Sequence, residues 1–462
     1  MRSSGFSIIL SLILVETIAM SYDHMQDFPI LSLDNIASMD LTDVQRLMVI
    51  APHPDDETLG AAGLIQAVLA KGGDVRIVIV TNGDGQAVGP MISSSQKLPI
   101  AKSYINYGHE RQRESLNALS VLGVSKEKVI FLGYPDGELK NLWNNNWMEG
   151  KLISGKYTLA TSSPYENTYN TSSVYLGSDL FQDIMQLLEN FQPDLVLVPH
   201  PEDTNEDHRA ISSFSRFAIA NYQSHTSNKI NILGYLIHYG GYPVPRGKDI
   251  NKRLLPPAAL SEDKRDWLSY GLTTDERLTK INAIQTYRTQ QKIMGSYLNS
   301  FGRANEIFFE IPTVNLPWLG VNLDDQVKEG LHIRSMLVEP VREKFGRFIF
   351  SGADLTSWQV IRLGDNICFS AGTRGKIQDE ISYKILVKLP DGVTIKGKGE
   401  KDLLIFPDRF FGACFNLEEL GNPNVIGFSA ETWGGVTLDR TAWYFVILNA
   451  QDLSTILSSS QS

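Results

Sequence analysis

Apolar residues fall in short, β-branched blocks separated by longer amphipathic stretches. Leu47-Met48-Val49-Ile50, Val75-Arg76-Ile77-Val78-Ile79-Val80, Val129-Ile130-Phe131-Leu132 and Leu195-Val196-Leu197-Val198 predict buried strands, as do Ile230 to Tyr239 and Glu306 to Ile311. Helical spacing lies between them: Ala61 to Ala70, His109 to Leu122, Leu176 to Phe191, Ile211 to Asn221 and, as the longest amphipathic helix, Asp275 to Asn299. Strands that alternate with helices imply a Rossmann-like, largely parallel sheet with helices on both faces. Residues 86–104 read as a polar loop. Residues 138–175 form a longer one with Trp143, Trp147, Tyr157, Tyr165, Tyr169 and Tyr175, which either stack on sugar rings or pin the loop to the domain.

The pattern changes after residue 311. Residues 312–340 carry Pro312, Pro317 and Pro340 and read as a linker. Beyond them come short strands, Arg347 to Phe350, Ser382 to Leu389, Leu403 to Phe406, Val425 to Ser429 and Trp443 to Leu448, divided by turns such as Pro390-Asp391-Gly392. This predicts a smaller all-β, β-sandwich-like domain over 341–453 before a Ser-rich tail at 454–462, with Trp358, Trp433 and Trp443 read as core and a saccharide platform as the alternative.

Composition adds bounds rather than a function. The 462 residues are 42% hydrophobic and 20% charged, with a net charge of −10 and no basic run, which argues against nucleic acid as a partner. Residues 1–20 pair Arg2 with an apolar run from Phe6 to Val15 and small residues near Ala19, the pattern of a signal peptide ahead of a lead-in at 21–45. An uncleaved anchor is the alternative. The expected location is therefore secreted or periplasmic, with no stable membrane span after cleavage. Cys368 and Cys414 fit no metal or redox spacing; pairing and two buried thiols are both open.

The chemistry gathers at two strand ends. The first strand runs into Pro52-His53-Pro54-Asp55-Asp56-Glu57, and the strand at 194–199 runs into His200-Pro201-Glu202-Asp203-Thr204-Asn205-Glu206-Asp207-His208. One or two acids before a helix are ordinary caps. A crowd of like charges beside an imidazole needs a cation. If both strands share one parallel sheet, His53, Asp56 and His208 meet at one edge. They form a two-His, one-carboxylate set that leaves a position for water, as in catalytic zinc sites.

These residues resemble the PIG-L/LmbE-like zinc-dependent N-deacetylases. The resemblance rests on Pro52 to Glu57 with Gly60, on Asp203-x-x-x-Asp207-His208-Arg209-Ala210, on Arg111-x-x-Glu114-x-x-x-Ala118 and on Leu132-Gly133-Tyr134-Pro135-Asp136-Gly137. It extends through Leu236-Ile237-His238-Tyr239 and Lys280-x-x-Ala283-x-x-x-Tyr287-Arg288-Thr289-Gln290, so that it covers 46–311. It implies Zn2+, with Fe2+ as another candidate, on His53, Asp56 and His208; Asp55 as general base; and Arg111 and Asp136 as substrate contacts. The implied substrate is an N-acetylated saccharide or glycoconjugate, with another amide, an ester, or saccharide binding without catalysis as rival readings. Asn205 stands where the family usually has a His. It retains a hydrogen-bond donor for an oxyanion but has no useful acid. His238, at a strand end, is the first candidate for the missing acid, followed by His200, and Asp55 is a shuttle that makes a separate acid unnecessary. Asp207 is expected to support a ligand by hydrogen bonding.

Overall fold

The structure is a computed structural model that describes residues 36–448 apart from 95–97, 149, 151, 261–266, 316–349, 364, 397–402 and 407–408. The predicted signal peptide, much of the predicted linker, the strand start at 347–349 and the Ser-rich tail lie outside the described residues.

The first unit contains β1 (Ala37–Ser38), β2 (Arg46–Ala51), α1 (Asp56–Ala70), β3 (Asp74–Thr81), α2 (Gly89–Ser94), α3 (Ala101–Val121), β4 (Val129–Tyr134) and α4 (Leu139–Asn144). It continues through α5 (Gly177–Phe191), β5 (Leu195–Pro199), α6 (Glu206–His225), β6 (Asn231–Tyr235), β7 (Trp267–Gly271), α7 (Thr274–Gln285), α8 (Arg288–Asn299) and β8 (Asn305–Glu310). The strands form one sheet in the order β1-β7-β8-β6-β5-β2-β3-β4. From β6 to β4 every neighbour is parallel, whereas β8 is antiparallel to both β6 and β7. Helices cover both faces, with α1, α3 and α7 packing together and α4, α5 and α6 packing together. Burial on both faces explains why β5 is apolar at every position rather than alternating. The chain leaves β2 toward β3 on one side and reaches β5 on the other. The crevice between the C-terminal ends of β2 and β5 is therefore the switch point of the sheet.

Three expectations in this unit need correction. The single helix predicted over Asp275 to Asn299 is two helices, because Tyr287 leaves helical geometry between α7 and α8. Its hydroxyl donates to Glu57 Oε1 at 2.6 Å and contacts Thr58 Oγ1 at 2.8 Å, so packing against α1 decides the break. The loop predicted over 86–104 contains α2 and the first turn of α3. The strand predicted to reach Tyr239 stops at Tyr235, so His238 lies on the loop beyond it.

The second unit contains β9 (Val314–Asn315), β10 (Leu355–Leu363), β11 (Asn366–Thr373), β12 (Ser382–Lys388), β13 (Thr394–Lys396), β14 (Leu404–Phe406), β15 (Phe410–Asn416), β16 (Val425–Trp433), β17 (Thr437–Arg440) and β18 (Tyr444–Ile447). One sheet is β10-β11-β15-β14 and the other β13-β12-β16-β18-β9, with β17 paired to β16. Trp358, Phe369, Phe411, Ile426, Phe428 and Val446 form the core between them. β10, β11 and β15 carry small alternating inward sets rather than long apolar runs, and a register shift near Leu355 interrupts the alternation in β10. That is why the apolar blocks did not mark them. β9 belongs to the predicted linker and pairs in parallel with β18, so the chain enters the sandwich directly. Trp358 and Trp443 are core, whereas Trp433, at the outward end of β16, is 40% exposed. Cys368 and Cys414 face each other across β11 and β15 and form a disulfide. Among the described residues, no helix is long and apolar enough to cross a membrane.

Candidate active site

The Pro52-to-Glu57 turn follows β2 at the switch point and leads into α1. Asp56 opens α1, and its Oδ2 accepts from the His53 backbone N–H at 3.0 Å. The same oxygen lies 3.2 Å from His53 Nδ1 and 3.1 Å from His208 Nε2. His208 comes from the first turn of α6, beyond β5. Ligand atoms of His53, Asp56 and His208 all fall within 4.8 Å of one another. The sheet thus brings together the three residues the sequence predicted, across more than 150 positions.

Carboxylates hold both imidazoles from behind. Asp203 Oδ2 lies 3.2 Å from His208 Nδ1 and also accepts from the backbone N–H groups of Ile237 and His238 at 3.1 and 2.9 Å. His53 Nε2 lies 3.2 Å from Asp136 and 3.5 Å from Asp207. Asp207 accepts from Gly137 N–H at 2.6 Å and Leu139 N–H at 3.1 Å, and Asp136 from Gly85 N–H at 2.7 Å. Carboxylate-backed histidines are the usual support of a metal ion, because the carboxylate fixes the tautomer and raises ligand basicity. Sequence reasoning assigned the supporting role to Asp207 alone. Asp203 was missed, although it stood within the same cluster.

Electrostatics test whether these residues fit a cation. Burial opposes the charged form of His208, yet Asp203 and Asp56 outweigh it and push the imidazole up to about 10. Burial likewise opposes protonation of His53, but Asp136 and its neighbours raise it well above its ordinary value. His208 Nε2 is fully buried and lacks a hydrogen-bond partner of adequate geometry. The centre has an excess of negative charge and an unsatisfied nitrogen facing a carboxylate. One divalent cation answers both, and the N,N,O donor set fits zinc.

Asp55 is buried beside this set with a backbone φ of 128°, a region that side chains other than glycine rarely adopt. Its N–H donates to Glu57 Oε2 at 3.0 Å, and Arg111 Nη2 donates to its Oδ2 at 3.2 Å. Burial raises the Asp55 carboxyl, Arg111 opposes the shift, and Asp56 adds to it. Arg111 also donates to the carbonyls of Pro54 at 2.6 Å and Gly83 at 3.2 Å. Through these three contacts the Arg111 fork braces the Asp55 turn. Glu114, one turn further along α3, accepts from Thr289 N–H and Oγ at 2.8 and 2.6 Å.

Asn205 is the N-cap of α6, its Oδ1 accepting from Asp207 N–H at 2.9 Å and His208 N–H at 3.4 Å. The cap occupies its carbonyl and leaves the amide NH2 as its donor. His238 lies with its ring centroid 4.8 Å from that of His208. Tyr297 donates its one hydroxyl proton to the carbonyl of Ile237 at 2.7 Å, so its 3.1 Å contact with His238 Nδ1 needs the proton on that nitrogen. This tautomer leaves a lone pair on Nε2. Burial and the neighbouring His208 hold His238 down to about 4, in the neutral form. Nothing in the sequence marked Tyr297. His200 stacks on Trp267 at 5.3 Å, with Nδ1 accepting from Glu202 N–H.

The long aromatic loop is pinned to the domain. Trp143, Trp147, Tyr165 and Tyr175 are buried, and Tyr157 stacks on Tyr104 at 4.6 Å.

Residues 48–219 match the family described as PIG-L: GlcNAc-PI de-N-acetylase. The chain carries a domain of this family. A relative of the PIG-L domain in Corynebacterium diphtheriae, a 1D-myo-inositol 2-acetamido-2-deoxy-alpha-D-glucopyranoside deacetylase, is 26% identical over 157 residues, or 34% of this chain and 45% of the relative. A protein of the same description in Mycobacterium sp. strain KMS is 37% identical over 161 residues, or 34% of this chain and 44% of its own length. The chain thus spans less than half the length of these curated relatives. Among solved structures, the N,N'-diacetylchitobiose deacetylase from Pyrococcus horikoshii aligns at 19% identity and a TM-score of 0.36, covering 61% of this chain and 88% of that one.

Proposed function

We propose that this chain is an exported, metal-dependent hydrolase that removes an N-acetyl group from an N-acetylglucosamine-type sugar or glycoconjugate. The observation that carries the reading is the convergence of His53, Asp56 and His208 at the switch point of a PIG-L domain. Zinc is the ion proposed, with Fe2+ second. When bound, such a cation acidifies water and polarises an acyl carbonyl.

The chain's own residues handle the proton. Arg111 holds Asp55 Oδ2, which leaves Oδ1 to take a proton from the attacking water. The water oxygen bonds to the acyl carbon, the C–N bond breaks, and the same proton passes from Asp55 to the leaving nitrogen. The His238 tautomer supports giving Asp55 both steps, since Nε2 carries no proton to donate. The Asn205 NH2 is the donor proposed for the carbonyl oxygen as it gains charge. Asp136, more exposed than Arg111, is the better placed to accept from a sugar hydroxyl.

Export is supported by the Cys368–Cys414 disulfide, since such bonds persist in oxidising compartments.

The test is a panel of N-acetylated saccharides, other amides and esters, with acetate and free amine measured before and after chelation. Acetate release from the sugars that stops on chelation and returns with zinc is expected. Release only from the other amides or esters would overturn the acetyl-sugar assignment, and a chain that purifies without metal and takes up none would overturn the hydrolase reading.

A further inference from the structure

The geometry points to the β-sandwich as a buttress of the metal centre, with Lys388 and Arg216 as positioning residues that cross the domain interface in opposite directions. The inference rests on the metal reading above.

From the sandwich, Lys388 ends β12 and extends Nζ to the backbone carbonyl of Trp143 in α4, at 3.0 Å. The same Nζ sits 3.5 Å from the Trp147 ring centroid, and burial pushes the amine down to about 6. From the PIG-L domain, Arg216 in α6 extends Nη2 to the carbonyl of Trp443 at 2.6 Å, with its guanidinium 5.3 Å from the Phe445 ring. Both side chains are buried. A buried polar group is costly unless it is hydrogen-bonded, so each contact is specific to one seating of the two units. Trp143 lies edge-on to Phe214, Phe217, Trp443 and Phe445 at 4.8, 5.8, 5.6 and 6.1 Å. Gly392, at φ +86°, lets the turn after β12 approach Trp147 so closely that an added Cβ would fall 1.4 Å from the indole.

The two helices held this way are those that frame the site. α6 opens with Asp207 and His208, and the first amides of the α4 turn, Gly137 and Leu139, donate to Asp207. Asp207 thus ties the two helix starts together beside His53, while the sandwich ties the helix bodies together. Arg216 lies eight residues beyond His208, or about 12 Å along a rigid helix. A metal set tolerates errors of only about 0.2 Å in ligand distance, so a tilt of either helix body reaches the ligands.

Hydrogen–deuterium exchange on the full chain, with and without Zn2+, tests this directly. Zinc should slow exchange at amides of β12 and β18 as well as at the site loops. Protection confined to the PIG-L domain overturns the buttress and leaves the metal reading intact, whereas a wild-type chain that takes up no zinc overturns both. In the full chain, Lys388→Met keeps the stem and removes the amine that donates to the Trp143 carbonyl. It should weaken zinc binding about tenfold without changing KM for substrate. Combined with Asp207→Asn, it should weaken binding by less than the product of the single effects, because both act through α4. Strictly multiplicative effects, or unchanged zinc affinity in a folded Lys388→Met chain, overturn the inference. If that variant does not fold, the exchange experiment on the wild type decides alone.

Discussion

Asp55 combines burial, an unfavourable φ of 128° and a guanidinium on one carboxylate oxygen. Strain of this kind costs about 1–3 kcal/mol and persists only where surrounding bonds enforce it; here Glu57 and Arg111 do so. Asp55→Asn keeps the shape and removes the proton acceptor. We expect full zinc occupancy with turnover lowered by about 10²–10⁴-fold, the usual weight of a general base. Near-normal hydrolysis in the zinc-loaded variant would reject the assignment. His238 sits at the site with its proton on Nδ1. His238→Gln should therefore cost less than the ~10²-fold of a lost acid and should leave the basic limb of the pH–rate profile in place. Loss of that limb would make His238 the donor after all.

At the scale of elements, the ends of β2 and β5 bring His53, Asp56 and His208 together, and the loop after β3 braces Asp55 through Arg111. Gly83 opens that loop at φ +65°, and a Cβ there would lie 1.7 Å from Arg111 Nη1. Gly123, at φ +89° in the turn after α3, would meet nothing closer than 3.7 Å. Both Gly→Ala changes should cost about 1–2 kcal/mol of stability for the left-handed backbone. Only Gly83→Ala should also displace the guanidinium from Asp55 and lower turnover by about 10²-fold. Equal activity in the two variants would show that Arg111 does not position the base. The break between α7 and α8 belongs to this scale too. The amphipathic spacing runs through Tyr287, but a buried hydroxyl bonded to Glu57 outweighs one more helical residue.

For the whole molecule, the sandwich carries its own covalent tie. The disulfide closes a sequence separation of 46 residues, for which chain-entropy reasoning gives about 2–4 kcal/mol. Replacing both cysteines by Ala should lower the melting temperature of the sandwich, and protein isolated under non-reducing conditions should show no free thiol until it is reduced. Two titratable thiols in freshly exported protein would contradict the pairing.

The strand–helix alternation, the change to β structure after residue 311 and the chemistry of the two strand-end clusters were legible in the sequence, because hydrophobic period and residue type are local properties. The set of His53, Asp56 and His208 was legible only on the condition that β2 and β5 share a sheet, a condition the fold meets. The rest depended on partners far apart in the chain. Asp203, and not Asp207 alone, backs an imidazole, since which carboxylate reaches it depends on the turn geometry beyond β5. Arg111 braces a backbone turn, Tyr297 sets a tautomer, and the loop tryptophans face a second unit, each through a contact that no local pattern encodes. Sequence determined which chemical groups were available and which elements carried them; tertiary packing decided which atoms meet, because that depends on side-chain distances between elements distant in the chain.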